Sequence, residues 1–481
     1  MTSIRACLLT ASLAAVGVAQ AQTAPSAPGP ATKAEDSSLT WKGITLYGIV
    51  DLGIQYDTHS APFSDYFPPG SASLVQKNDY DSPTGITPSN LSQSRIGISG
   101  NEPLVGDWAG IFRFETFFNP QSGDISDAVK SVALNNGKGC TLAACSQTVG
   151  VDSSIAGQLF SGAAYLGVSS PTIGTFTVGR NPTNLADGIG KYDPMSASNA
   201  FSLIGFSGTA AGGGDTEDRR LDQSVKYAAK YGSLHLGALY QFGSSTGSVN
   251  TGYQFTVGGD FAGLSVDAYY FKKYDAIGVS AMSAAQVGNL NGVCPAPQVC
   301  YNGYSIANTV NGTVSDNETY ALMGSYDFGP AMPLKLFGGY EHIAFNNPSN
   351  PLGGGTPIIG GYVLSPFTSN TAYNNQKTLD VFWAGLKWTP IKDFDVLAAY
   401  YGYHQNNFAV AADQAACAAN GTSHSQCSGS ENVLSVVVDY RFTKRFDWYA
   451  GSMYSGVKDG LANGYLNTTN IATTAGLRFR F

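Results

Sequence analysis

The C-terminal stretch constrains the fold more than any other. From Thr469 to Phe481, Ile471, Thr473, Ala475, Leu477, Phe479 and Phe481 fall on one face of an extended chain. Ala472, Thr474, Gly476, Arg478 and Arg480 fall on the other. One face suits hydrocarbon and the other suits water, which is the alternation of a membrane-crossing strand. The pattern recurs. In 432–443, Leu434, Val436, Val438, Tyr440 and Phe442 oppose Ser435, Asp439 and Arg441. Near the start, Leu46, Gly48, Val50, Leu52 and Ile54 oppose Tyr47, Asp51 and Gln55.

Composition narrows the classes that could carry such strands. Charged residues make up 12% of the chain, about half the share of an ordinary soluble surface. Glycine is abundant, with 58 in 481 residues, beside 27 Tyr and 25 Phe. After the first twenty residues no long apolar run exists, so helices do not carry this chain across a bilayer. The expected fold class is all-β: a transmembrane antiparallel β-barrel with short periplasmic turns and long extracellular loops.

Continuing the alternation yields about sixteen strands, at 43–56, 92–101, 107–118, 157–169, 174–181, 219–231, 233–243, 251–261, 263–274, 317–328, 333–345, 376–389, 393–405, 432–443, 446–457 and 469–481. The connections alternate in length. Short turns include 102–106, 170–173 and 390–392, while 57–91, 119–156, 182–218, 275–316, 346–375 and 406–431 are long. An even count puts both ends of the barrel chain on the periplasmic side. Trp41, Trp108, Trp388 and Trp448 all fall at strand ends beside short turns or the N-terminal entry. They are expected to form one interfacial girdle.

The N-terminus reads as a secretory leader over residues 1–21. Arg5 supplies a positive start, Ala6 to Val18 a short apolar stretch, and Ala19-Gln20-Ala21 a small-x-small cleavage site. The residues before Cys7 do not fit a lipoprotein signal. Residues 22–40, rich in Ala, Pro and Ser, read as a flexible linker ahead of a barrel domain over 41–481. Removing the leader takes away Arg5 and leaves 25 basic against 34 acidic residues. That balance argues against nucleic acid as a partner. Six cysteines remain, as Cys140 with Cys145, Cys294 with Cys300, and Cys417 with Cys427. Each pair sits within one long polar loop, so three local disulfides are the simplest scheme for an oxidising compartment, with unbonded thiols the alternative. Zinc is not expected, because only His424 lies near a pair.

Several segments, taken together, resemble the general diffusion porins of Gram-negative bacteria. Leu46-Tyr47-Gly48 followed by Asp51 is similar to their first strand, and Ser94-Arg95-Ile96-Gly97-Ile98-Ser99-Gly100 to their second. Val178-Gly179-Arg180-Asn181 is similar to the strand entering their third loop. Arg220-Leu221-Asp222-Gln223-Ser224-Val225-Lys226-Tyr227 resembles the strand leaving it. The resemblance covers residues 41–481. It implies a sixteen-stranded barrel, a homotrimer in outer-membrane lipid and lipopolysaccharide, and passage of ions and small hydrophilic solutes. It also implies a third loop, here 182–218, folded inward as a constriction.

In that family basic wall residues face acidic loop residues. The resemblance puts Arg95, Arg180 and Arg220 on the wall, with Arg219 competing for the third place, and adds Lys226 and Asp51 to the constriction. Alternation supports Arg95 independently, since Ile96 and Ile98 take the lipid face. Arg180 shares its parity with Phe176 and Val178, so it needs a local bulge at Gly179 to turn inward. The loop lacks the family's acidic Pro-Glu-Phe-Gly pattern; Leu203-Ile204-Gly205-Phe206-Ser207-Gly208 stands there instead. The acidic side is then expected from Asp187 or Asp193. Without such acids the arginines should favour anions. The resemblance also makes Phe481 a signal for the barrel-assembly machinery.

Other classes are weaker. Gly243-Ser244-Ser245-Thr246-Gly247 matches a nucleophile motif, but lies in a loop between strands without the strand-to-helix turn the motif needs. The five histidines are scattered. No enzyme activity, cofactor or metal is expected. A substrate-specific channel is the main rival and a surface adhesin the third reading. Tyr269 with Phe271, and Tyr401 with Tyr403, share a parity that could build an aromatic slide. Alternation around them is loose, which leaves lipid as their default surrounding.

Overall fold

The computed structural model describes residues 39–60, 63, 78, 80–126, 149–151, 159–204, 219–243, 251–275, 277–279, 312–313, 316–349, 358–359, 362–363, 374–419, 424–463 and 465–481. Sixteen antiparallel strands form one closed barrel. They are β1 (Ile44–Asp57), β2 in two parts (Thr84–Pro88 and Arg95–Pro103), β3 (Ala109–Phe117), β4 (Ala164–Ser170), β5 (Gly174–Pro182) and β6 (Arg220–Tyr231). Next come β7 (Leu234–Gln241), β8 (Gly252–Phe261), β9 (Leu264–Lys273), β10 (Asp316–Asp327) and β11 (Leu334–Asn346). The last five are β12 (Lys377–Ile391), β13 (Phe394–Gln405), β14 (Gly429–Arg441), β15 (Phe446–Asp459) and β16 (Thr469–Arg480). Each pairs with its neighbour in the chain, and β1 with β16 closes the ring from Ile49↔Arg480 to Asp57↔Ala472. Phe481 extends that seam by exchanging backbone hydrogen bonds with Gly48.

Alternation explains the two surfaces. Leu46, Ile96, Leu166, Phe255, Leu322 and Leu434 all stand exposed on outward positions. A soluble protein could not keep such a belt in water, whereas a bilayer requires it. Trp41, Trp388 and Trp448 are also exposed near the short-turn end, and Trp108 is half-buried there. The fifth tryptophan, Trp383, turns inward and is buried.

Three expectations need correction. The second strand begins at Thr84, and residues 89–94 leave the ladder before it resumes at Arg95. The fourth strand starts at Ala164, not near 157. The aromatic pairs Tyr269/Phe271 and Tyr401/Tyr403 face inward and are buried, not in lipid. Both faces of β9 and β13 carry apolar side chains at mid-height, so polarity alone cannot tell inside from outside there.

Of the expected disulfides, Cys417–Cys427 is formed. It staples a helix, α2 (Ala411–Ala419), to the segment leading into β14. Cys140, Cys145, Cys294 and Cys300 lie outside the described residues, as do the expected leader and most of the linker. Parts of two long loops pair with each other: Val149–Val151 runs antiparallel to Ile277–Val279, which pairs with Gly312–Thr313.

Candidate functional site

The connection from β5 to β6 turns into the barrel and narrows it. Where the sequence suggests only a long loop, the chain first forms a helix, α1 (Asn184–Tyr192). Its start is set by Thr183, whose hydroxyl accepts from the Ala186 N–H at 3.1 Å. The Asn184 N–H donates to Gln254 of β8 at 2.7 Å. Asp193 caps the other end, and Pro194 follows. Past the helix the loop crosses toward β12–β15. Leu185, Ile189, Phe201 and Ile204 are buried against inward residues including Phe271, Ile343, Val381 and Val437. Each such side chain contributes about 1.5–3 kcal/mol relative to exposure. This core explains the inward apolar faces of β9 to β15: they meet the loop, not water.

Polar anchors fix the loop's position. Lys191 and Tyr192 both reach Asp267 on β9, at 3.1 and 2.6 Å. The Trp383 indole donates to the Tyr192 carbonyl at 3.0 Å. Asp193 is fully buried. Its carboxylate accepts from the Met195 and Ala197 N–H groups and from the Tyr401 hydroxyl. Burial pushes the Asp193 carboxyl above its ordinary range. A small wall residue is needed there: a Cβ at Gly385 would lie 2.4 Å from the Ala398 carbonyl of β13 and 2.4 Å from Pro194 Cγ of the loop.

On the opposite side a cleft remains. Its wall carries Arg95, Arg113, Glu115, Arg219 and Arg220, and the loop side presents Ala186, Gly190 and Ala197. Glu115 sits among the arginines. Arg113 Nη2 donates to it at 2.8 Å, Arg95 Nε lies 3.6 Å away, and the Tyr47 hydroxyl donates at 3.1 Å. The Arg113 guanidinium lies 4.8 Å from the Tyr47 ring centre, and that of Arg220 4.7 Å from Phe117. At those distances the rings attract the guanidinium charges and favour keeping them at the wall. Among the described residues lining the cleft, Glu115 is the one acid.

A family model described as Gram-negative porin matches residues 8–460. The chain belongs to the Gram-negative porin family. It is an outer-membrane porin, a water-filled channel for diffusion. No curated protein matches the sequence. Among solved structures, the anion-selective porin from Comamonas acidovorans is similar at 17% identity and a TM-score of 0.55, over 91% of this chain and 99% of that one. OmpT of Vibrio cholerae, in a trimer form, is similar at 15% identity and a TM-score of 0.52, over 91% and 99%. At these identities the likeness concerns the fold.

The structure places the porin's expected constriction residues unevenly. Arg95 and Arg220 line the cleft, and Arg219 joins them, so both candidates for the third wall position are present. Arg180 does turn inward. The ladder shifts register between Gly179 and Asn181, and Gly179 adopts φ +134°, a conformation that favours glycine. Arg180 is then tied down by the Gly162 and Ser161 carbonyls and by Asp222. Lys226 is buried, bonded to the Pro182 carbonyl and ion-paired with Asp187. Burial raises the Asp187 carboxyl, and Lys226 opposes that rise. Asp187 and Asp193 are therefore engaged in seating the loop, and neither lines the cleft. Asp51 is likewise buried and bonded within the wall. Sequence reasoning missed Arg113 and Glu115. Their signal was available: in Ile111-Phe112-Arg113-Phe114-Glu115 the charges alternate with aromatics, so they share the inward face of β3.

Proposed function

We propose that this porin passes small hydrophilic solutes and ions passively and favours anions at its constriction, with Arg95, Arg113, Arg219 and Arg220 as the attracting wall. The carrying observation is the cleft lining: four arginines and one glutamate, opposite small uncharged loop residues. Two unit charges 4 Å apart interact by about 1 kcal/mol in water and about 4 kcal/mol at an effective dielectric of 20. A local cluster in a low-dielectric neck can thus outweigh the chain's overall negative charge. Arg180 and Lys226 are neutralised by Asp222 and Asp187 and act as supports. The aromatic pairs Tyr269/Phe271 and Tyr401/Tyr403 are buried in the core shared with the loop, which counts against an aromatic slide and a dedicated sugar channel.

The reversal potential across a bilayer in a potassium chloride gradient tests this reading. Anion preference is expected in the wild type, with a loss of up to about fivefold in permeability ratio for Arg95→Ala, the equivalent of about 1 kcal/mol. Cation preference that Arg95→Ala leaves unchanged would refute it. A homotrimer, surrounded by lipid and lipopolysaccharide, is the assembly we infer from the family, with Phe481 read by the assembly machinery. OmpT's trimer form is consistent with it.

A further inference from the structure

The break in β2 carries more than a local irregularity. Between Pro88 and Arg95, residues 89–94 bulge into the barrel, and Ser89, Asn90, Ser92 and Ser94 are all buried. A strand that leaves its ladder must find other partners for its backbone groups. Asp51, opposite the break on β1, accepts from three of its N–H groups. Its carboxylate accepts from the Leu91 N–H at 2.9 Å and the Ser92 N–H at 2.6 Å. Its carbonyl accepts from the Ser89 N–H at 2.8 Å, and its own N–H donates to Ser94 Oγ at 3.0 Å. The other carboxylate oxygen accepts from the Tyr449 hydroxyl of β15 at 2.5 Å. Arg478 of β16 donates to Ser92 Oγ at 2.6 Å.

Residues 198–201 of the inner loop rest on this same bulge. The Ala200 N–H and the Ser198 hydroxyl both donate to the Asn90 carbonyl at 2.9 Å. Asn199 donates to the Ser89 carbonyl at 2.8 Å. Phe201 meets the Tyr449 ring edge-on at 6.3 Å. Both sides of the cleft continue directly from these contacts: Ala197 on the loop, and Gln93 and Arg95 on the wall. The bulge is a shared footing for the two sides of the opening.

We propose that Asp51 and Tyr449 are positioning residues for the constriction, holding the 89–94 bulge on which the loop rests and so fixing the gap between Arg95 and the loop. Neither lines the cleft, and both act through the bulge. The proposal rests on the constriction reading above.

Single-channel conductance and liposome swelling with a graded sugar series test it on the full-length channel. Asp51→Asn and Tyr449→Phe keep side-chain shape while removing an acceptor or the hydroxyl. Both are expected to raise conductance and shift the exclusion limit to larger sugars, with a melting temperature close to wild type. Asn199→Ala, which cuts the footing from the loop side, is expected to act in the same direction. A wild-type channel that conducts while all three variants match it in conductance and cut-off overturns the proposal. So does a change in Asp51→Asn that follows a fall in melting temperature and is absent in Asn199→Ala, because Asp51 then serves barrel stability alone. A wild-type protein that does not conduct refutes the channel reading itself, a distinguishable result.

Discussion

Glu115 sits where one negative charge weighs most. It is buried, contacts Arg95, Arg113 and Tyr47, and is the one acid among the described cleft residues. Glu115→Gln keeps its shape and removes its charge, so the reversal potential should move toward stronger anion preference. At about 1 kcal/mol per charge in a wet neck, the change reaches about fivefold. An unchanged or reduced preference would mean that the arginines do not set selectivity. Asp193 makes a different prediction. Its raised pKa means that the seated loop holds this proton more firmly than a free carboxyl would. That contribution is complete below the ordinary carboxylate value of about 4 and is lost as pH rises through the raised value. Acidifying from neutral pH to about 4 should therefore keep the loop seated. Conductance corrected for bulk conductivity should not rise; an abrupt acid-induced increase would show that the ionised form holds the loop.

At the scale of elements, the inner loop and the wall it rests on are one packed unit. Gly385 on β12 is one point of close approach, so Gly385→Val forces Pro194 and its loop away from the wall or strains β12 against the Ala398 carbonyl. Overpacking of this kind costs about 1–3 kcal/mol. A lower melting temperature together with higher conductance is expected, and a variant melting and conducting like wild type would show that the loop is not pressed there. The same packing limits what the sequence reveals. Most strands alternate cleanly and are legible to within a few residues, the terminal one above all. On β9 and β13, Phe271 and Tyr401 are apolar inward because α1 and its continuation cover them, so the polarity signal disappears. Alternation alone points Arg180 outward with Phe176 and Val178, and only the family resemblance, which puts Arg180 on the wall, calls for the bulge at Gly179. The break at 89–94 was not legible, because its reason lies in the distant residues Asp51, Tyr449 and Asn199.

At the scale of the whole molecule, the closing seam and the constriction meet in one place. β1, the break in β2, β15 and β16 contribute Asp51, Ser92, Tyr449 and Arg478 to a single bonded group beside the footing of loop residues 198–201. Closing the ring thus builds the footing for the neck. The order of residues alone carries the barrel: about sixteen strands, its membrane, the alternation of short and long connections and the inward direction of Arg95. These follow from period two and from turn chemistry, which are local and repeat along the chain. Which charges meet at the neck depends instead on how the folded elements come together. Asp187, Asp193 and Lys226 are as polar in sequence as Arg113 and Glu115, yet the first three are engaged in holding the loop and the last two line the opening. That division depends on where a loop lands across the barrel, on contacts between residues hundreds of positions apart that no local period encodes.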